Sequence, residues 1–179
     1  TFELAIKDGL IFADGEGGYL LVLDMDGRVH AERSFPFLTM SPQAVRGGRV
    51  AFLAGDLKLH IWNSRLTAGE AIPFPLRKGI VTFDYHPEHI GLQYVTHWTD
   101  YADEAAIVYV GTVWGEILRY DVRRRRWLPS LRTHIGLRSL TPDPRNGLLF
   151  AANYFQGYLH VMELESGRHV GYILANVRS

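Results

Sequence analysis

The stretch from Leu148 to Ile173, LLFAANYFQGYLHVMELESGRHVGYI, contains three short segments with the composition of β-strands. LLFAANYF is mostly apolar, GYLHVMEL alternates between apolar and polar residues, ESG has the composition of a turn, and RHVGYIL is the third segment. Apolar runs and alternating runs that are bounded by Gly-containing turns predict strands. The stretch therefore predicts three antiparallel strands joined in a meander.

The same order recurs three times upstream, and each copy is preceded by a further candidate strand. The earlier triplets are GLIFADGEG, GYLLVLDMDG and RVHAERSF; GRVAFLAG, DLKLHIWN and EAIPFPL; and AIVYVGTVWG, EILRYDV and RRRRWLPSL. The preceding candidate strands are TFELAI, FPFLTMS, GIVTFDYHP and GLRSLTPDP. Repeats of about 40 to 45 residues with four short antiparallel strands are typical of β-propeller blades. The sequence thus predicts an all-β propeller domain over 1–179, with blades near 1–36, 37–76, 77–131 and 132–179.

The last copy resembles the bacterial YVTN-type repeat, a WD40-like propeller repeat. It carries a Thr-Pro-Asp run, a turn that ends in Gly, a strand that ends near Asn, an alternating strand that ends in an acidic residue, and a Ser-Gly turn. The resemblance is weaker in the second and third copies, where DLKLHIWN and DVRRRRW depart from it. It implies a propeller fold, and it implies a periplasmic or extracellular location because such propellers are often exported. A cytoplasmic location stays open, and the resemblance carries no activity with it.

Composition limits the classes of function. The chain has 179 residues, 47% of them hydrophobic and 21% charged, which is typical of a folded globular domain. Nineteen basic residues balance nineteen acidic ones, so we expect no binding to nucleic acid through a global field. No apolar run is long enough to predict direct membrane insertion. The absence of cysteine excludes disulfides and cysteine zinc sites.

Four blades are fewer than most propellers contain, although four is the lower limit for closure. The sequence therefore favours a part of a larger propeller, completed by further blades or by another chain. The alternatives are an association of two copies and a small ring of four blades.

The loops between the second and third strands of each blade supply candidate binding residues. In a propeller these loops share one rim with the connections between blades, and ligands often bind at that rim. Exposed aromatic and amide side chains there suit a protein partner, although aromatic side chains more often pack between blades. Arg138 begins the innermost strand of the last blade and could bind an anion or make a salt bridge. The predicted partner- or ligand-binding residues are Trp114, Asn153, Tyr154, Phe155, Gln156 and Arg138.

Two acidic or histidine-rich segments provide the only candidate metal ligands. DGEGGY could lend the oxygens of Asp14 and Glu16 to calcium, although turn and strand-end carboxylates are the commoner interpretation. FDYHPEHIGLQYVTHW concentrates His86, His89 and His97, but these lack the spacing of a His-Glu-x-x-His motif. We therefore expect no cofactor, with calcium or another metal as the weaker alternative.

The predicted function is a non-enzymatic binding or scaffold module that contacts another protein, because nucleophile and phosphate-loop motifs are missing from the sequence. The alternative is a metal- or quinone-dependent propeller enzyme, lactonase-like or dehydrogenase-like, that uses the five candidate ligands above. The run from Arg123 to Arg126 has two interpretations, a phosphate or acidic-partner site and a charged sheet edge that prevents aggregation. The predicted core residues are Ile11, Val50, Phe52, Ile61, Val108, Val110, Ile117, Leu149, Ala151, Leu159 and Val161.

Overall fold

The computed structural model describes residues 4–15, 17–45, 47–56, 58–75, 95–98, 107–112, 114–143, 145–153 and 157–174. Sixteen β-strands in these residues form four antiparallel sheets of four strands each. Strands follow each other through every sheet in chain order, so each sheet is a meander. The prediction of four four-stranded antiparallel sheets is confirmed. The first strand of the third sheet is Val95–Trp98 and not the predicted GIVTFDYHP, which lies outside the described residues. Within the described residues, no helix has the length and apolar character that crossing a bilayer requires.

The chain divides into two compact units, Thr1–Asp84 and Tyr85–Ser179, each of which contains two sheets. The predicted blade boundaries and the single-domain assignment stay predictions. The strands of the first unit are β1 (Leu4–Lys7), β2 (Leu10–Gly15), β3 (Tyr19–Asp24), β4 (Val29–Ser34), β5 (Thr39–Val45), β6 (Arg49–Ala54), β7 (Lys58–Asn63) and β8 (Gly69–Pro73). The strands of the second unit are β9 (Val95–Trp98), β10 (Ile107–Gly111), β11 (Glu116–Asp121), β12 (Arg126–Arg132), β13 (Leu137–Asp143), β14 (Leu148–Asn153), β15 (Tyr158–Glu163) and β16 (His169–Leu174).

The core of the first unit lies between its two sheets, where β1 and β2 contact β5. The first sheet contributes Phe12, Leu20 and Val22, all nearly inaccessible to solvent. The predicted core residue Ile11 is only half-buried, because it alternates with Phe12 and pairs with Leu23 on the opposite face of the sheet. From the second sheet, the predicted core residues Val50, Phe52 and Ile61 are confirmed as buried.

The core of the second unit lies between its own two sheets, where β13 contacts β9 and β10. The predicted core residues Val108, Val110, Ile117, Leu149 and Ala151 are confirmed as buried. In β15 the prediction chose the wrong face. Met162 pairs with Leu149 and His160 pairs with Ala151, so these two are buried, and the predicted Leu159 and Val161 are half-buried on the other face.

The acidic residue that closes the third strand of a sheet holds the following turn. Asp24 Oδ1 accepts hydrogen bonds from the backbone N–H groups of Asp26 and Arg28, at 2.9 and 2.8 Å. Asp121 Oδ1 does the same for Arg123 and Arg124, at 3.1 and 2.8 Å. A side-chain acceptor at this position replaces water as the partner of turn N–H groups. Asp24 and Asp121 therefore stabilise turns, and the arginine run begins within such a turn.

Candidate functional site

Trp114 lies at the tip of the loop between β10 and β11, and 53% of its surface is accessible. The base of this loop is closed by hydrogen bonds from the Thr112 N–H to the Glu116 carbonyl (2.9 Å) and from the Glu116 N–H to Thr112 Oγ1 (3.1 Å). Gly115 follows with φ +79°, a conformation that glycine adopts without strain. Hydrogen bonds therefore hold the base of this loop, and the loop exposes a large aromatic side chain.

The connection between β12 and β13 lies directly against the Trp114 loop. The Thr133 N–H donates to the Gly115 carbonyl at 2.8 Å, and a side chain on Gly115 would stand 2.5 Å from the carbonyl oxygens of Thr133 and His134. Asn153 is 6% exposed, and its Nδ2 donates to the carbonyls of His134 (3.2 Å) and Ile135. Asn153 thus holds this connection in place, and its predicted contact with a ligand stays a prediction. We call the exposed side chains of Trp114 and Ile135, which is 57% exposed, the rim pair.

The structure does not describe the side chains of the remaining predicted partner-binding residues. Tyr154, Phe155 and Gln156 lie outside the described residues. Arg138 belongs to β13, but the description covers only its backbone. Their predicted roles stay predictions.

The candidate metal ligands do not form a described site. Asp14 is buried in β2, opposite Leu20, whereas Glu16, His86 and His89 lie outside the described residues. His97 lies in β9, and only its backbone is described. In the described part of the chain, no group of three or more histidine or acidic side chains has the arrangement of a metal site. The metal-site hypothesis therefore stays untested for these five residues.

A histidine cluster that the sequence analysis missed lies in the second unit. The ring of His160 is 4.9 Å from the ring of His134, 5.6 Å from that of His169 and 5.0 Å from that of Tyr172, centroid to centroid. His160 is 1% exposed, and neither ring nitrogen has a hydrogen-bond partner among the described residues. Hairpin pairing across the ESG turn places His160 opposite Tyr172, and that register is the signal that could have revealed the group.

The corresponding histidine of the first unit has a different environment. His60, like His160, is the third residue of the third strand in its sheet. Its Nε2 lies 3.0 Å from Asp56 Oδ1, and its ring stacks on Phe52 at 5.2 Å. Burial lowers the pKa of His60, and the hydrogen bond to Asp56 opposes that effect. Burial, and then the nearby His134 and His169, lower the pKa of His160.

We expect the protein to lose stability as the pH falls, in part through His160. The unfolded chain takes up a proton on this histidine near pH 6.5, whereas the folded chain takes it up only at a lower pH. The stabilisation is complete above pH 6.5 and is lost as the pH falls toward the folded pKa, by at most about 1.4 kcal/mol per pH unit for one group. His160→Leu should therefore lose less unfolding free energy than the parent between pH 8 and pH 5, measured by urea unfolding.

The control for this experiment is the exposed His30 in β4. His30→Gln removes an exposed histidine, and His160→Leu should differ from the parent more than this control does. An equal loss in His160→Leu and the parent would show that His160 contributes nothing to the pH dependence.

A cleft of ≈ 830 Å³ opens between the two sheets of the second unit. Its apolar walls are formed by Ile107, Tyr109, Leu128, Leu148, Leu164 and Val170. Arg119, which is 9% exposed, lies in the same cleft. Its Nε and Nη2 donate to the Pro129 carbonyl at 2.9 and 2.7 Å, and its Nη1 donates to the Glu165 carbonyl at 2.8 Å. The cleft thus combines an apolar lining with a buried cation.

Comparison with known proteins identifies the fold. No family model matches the chain, and no curated protein sequence matches it significantly. Among solved structures, the chain is similar to a protein of unknown function from Bacteroides caccae, with a TM-score of 0.69 and 15% identity over 98% of this chain. It is also similar to Saccharomyces cerevisiae Sqt1 (TM-score 0.68, 14% identity, 98% of this chain) and to BamB from Moraxella catarrhalis (TM-score 0.60, 14% identity, 95% of this chain).

Sqt1 and BamB are β-propeller proteins, and the four antiparallel sheets of this chain are β-propeller blades. The chain spans 62% of the length of the Bacteroides protein and about half the length of Sqt1 and BamB, at 49% and 50%. At this level of identity the similarity establishes the fold and leaves function to the residues of the chain itself.

Proposed function

We propose that this β-propeller chain is a non-enzymatic module that binds another protein through the rim pair. The observation that carries the proposal is the exposure of Trp114 on a loop whose backbone is fixed by Gly115 and by the Thr133 hydrogen bond. Tryptophan is among the residues that contribute most to protein interfaces. A loop whose base is already held by hydrogen bonds loses less backbone entropy on binding than an unconstrained loop does.

Ile135 adds an exposed aliphatic side chain on the connection that lies against the Trp114 loop. It is 57% exposed, and the backbone that carries it is held by the Asn153 amide and by the approach of Gly115. An aromatic and an aliphatic side chain on two loops that bind each other form a small apolar centre. Exposed His134 and Arg132 flank that centre and provide polar surroundings. This is the composition expected for the centre and the edge of a protein interface.

Substitution of both residues of the rim pair should weaken binding of the partner protein. We expect the double variant Trp114→Ala, Ile135→Ala to weaken partner binding at least tenfold, because truncation of a central aromatic residue commonly costs about 2 kcal/mol or more. The measurement is co-purification with the full chain from its native cells, followed by titration of the identified partner. A photo-crosslinking residue in place of Trp114 should attach to that same partner.

Met25→Ala is the matched control, because Met25 is 61% exposed but lies in the turn between β3 and β4, in the first unit. It should leave partner binding unchanged. Equal partner binding by the double variant and the parent, or crosslinking from position 25 and not from position 114, would contradict the proposal.

The type of propeller and its cellular location are further parts of this proposal. We propose a bacterial YVTN-type propeller that acts in the periplasm or at the cell exterior, possessing no nucleic-acid partner and needing no cofactor. The repeat pattern of the last blade and the balanced charge support these points. Fractionation of native cells tests the location: recovery of the full-length protein in the cytoplasmic fraction alone would contradict an exported propeller.

The rival function is a metal- or quinone-dependent enzyme, and no described feature favours it. Of its candidate ligands only Asp14 has a described side chain. Metal analysis of the purified protein separates the two functions. Stoichiometric metal that disappears on substitution of Asp14, Glu16, His86, His89 or His97 would favour the enzyme.

A further inference from the structure

In each unit, an arginine side chain of the first sheet donates a hydrogen bond to a turn of the second sheet. The two arginines come from different strands of their sheets. In the first unit, Arg33 Nη1 donates to the carbonyl of Leu66, in the turn between β7 and β8, at 2.9 Å. In the second unit, Arg119 Nη1 donates to the carbonyl of Glu165, in the turn between β15 and β16, at 2.8 Å. Each arginine therefore reaches from the first sheet of its unit to the same turn of the second sheet.

In the first unit, the space beneath the arginine contains an indole ring. The Arg33 guanidinium carbon lies 4.5 Å from the centre of the Trp62 ring, which is within the range of a cation–π interaction. Phe35 packs edge-on against Trp62 with ring centres 5.1 Å apart. Trp62 lies so close over Gly69 that a side chain on that glycine would stand 2.2 Å from the indole. The groove between the first two sheets is thus filled by the chain's own aromatic residue.

The second unit carries a smaller residue at the same position. Trp62 is the fifth residue of β7 and pairs with Val50, whereas Met162 is the fifth residue of β15 and pairs with Leu149. The residue opposite Trp62 in the outer strand is Gly69, and the residue opposite Met162 is His169. Met162 is buried in the core and does not fill the cleft beside Arg119, whose wall on this sheet is formed by Leu148, Leu164 and Val170.

The hydrogen bonds of Arg119 determine which ligand it can take. All three of its guanidinium nitrogens already donate to backbone carbonyls, those of Pro129, Leu164 and Glu165. A bidentate contact with a ligand carboxylate needs two parallel free N–H groups in the plane of the guanidinium. Four of the five N–H groups of Arg119 already donate to carbonyls, so no such pair is left. What the group still offers is its planar face, which stacks on aromatic rings. Two carboxylates at the cleft balance its two cations, because Glu163 is paired with Arg168 and Glu165 interacts electrostatically with Arg119. The cleft therefore favours an uncharged ligand.

We propose that this cleft of the second unit binds an aromatic side chain of a partner protein, stacked against Arg119 as Trp62 is stacked against Arg33 in the first unit. The apolar walls supply the burial that an aromatic ring requires, and the volume lies in the range of small-ligand sites. This inference rests on the proposed protein-binding function and adds the chemistry of what is bound, which is an uncharged aromatic side chain.

The test uses N-acetyl-L-tryptophanamide as the probe and amide NMR of the full 179-residue chain as the readout. We expect shifts at Leu128, Ser166 and Gly167, with a dissociation constant on the order of 1 mM for a probe of this size. N-acetyl-L-leucinamide should bind at least about tenfold more weakly, because it lacks a ring face. Acetate should cause no shift at these residues. Equal binding of the leucine and tryptophan probes, or saturable binding of acetate, would overturn the proposal.

Two variants locate the binding in the cleft. Ser166→Trp places an indole on an exposed turn residue that lines the cleft, and it should abolish the shifts. The matched control is Thr67→Trp, at an exposed position of the corresponding turn in the first unit, which should leave them unchanged. Arg119→Lys keeps the charge but removes the planar face, and should weaken the tryptophan probe several-fold more than the leucine probe. Persistence of the shifts in Ser166→Trp would also overturn the proposal.

The outcomes separate this inference from the proposed function. If the tryptophan probe does not bind but partner binding still depends on the rim pair, only the proposal about the cleft is wrong. If the tryptophan probe binds but the rim-pair substitutions leave partner binding unchanged, the rim pair is not the binding site and the cleft remains as one.

Discussion

Replacing Gly18 with alanine is expected to destabilise the protein by about 3 kcal/mol or more. Gly18 has φ +85°, and a Cβ atom there would stand 1.9 Å from the Phe37 carbonyl oxygen and 3.0 Å from that of Phe35. Both neighbours are backbone atoms, so the connection between β4 and β5 would have to move. The hydrogen bond from the Phe35 N–H to the Gly18 carbonyl, at 2.8 Å, would be disturbed as well. Urea unfolding measures the effect.

Gly17 provides the control in the same loop. It has φ +74°, but a Cβ atom there would meet nothing within 4 Å. Gly17→Ala should therefore cost only the strain of the left-handed conformation, about 1 kcal/mol. Equal losses for the two variants would mean that the backbone contact at Gly18 contributes nothing.

Replacing Phe52 with alanine is expected to cost about 3 to 5 kcal/mol, as for other fully buried aromatic residues. Phe52 is 0% exposed. Its ring lies 5.2 Å from the Phe35 ring and stacks on His60 at the same distance. Truncation would leave a cavity beside two rings that cannot both move in to fill it. The measurement is the free energy of unfolding at pH 8.

Phe150→Ala is the matched control, because Phe150 lies in β14, which is the counterpart of β6 in the second unit, and is only half-buried. Its loss should be less than half of that for Phe52→Ala. A loss for Phe52→Ala below about 1 kcal/mol would show that the core of the first unit repacks around the missing ring.

The repeat pattern predicted most of the fold because it depends on local signals. Alternation and turn glycines predict strands and meanders without knowledge of distant residues. The choice of buried face was harder. In β10 both faces are buried, so either choice is correct, whereas in β2 and β15 one face packs against another sheet. Ile11, Leu159 and Val161 were assigned to the wrong face because the sequence does not show which side the neighbouring sheet covers.

The candidate site was less predictable than the fold. Trp114 was identified because an aromatic residue in a loop is visible in the sequence. The role of Asn153 was not, because its acceptors, the carbonyls of His134 and Ile135, lie 19 and 18 residues away along the chain. The cluster around His160 and the cleft beside Arg119 likewise join residues from different strands. Their positions follow from the register in which the strands pair, and the sequence does not show this register directly.

The sequence by itself determined four meanders of four strands, because period-two alternation and turn chemistry act within a few residues. Tertiary structure alone decided that Trp62 packs under Arg33 in the first unit, whereas Met162 is buried in the core of the second unit and a cleft lies beside Arg119. Both residues are apolar and stand at the same place in their strands, so the sequence pattern treats them alike. The difference arises from packing between sheets, which brings together side chains from separate strands in a way that the local pattern does not encode.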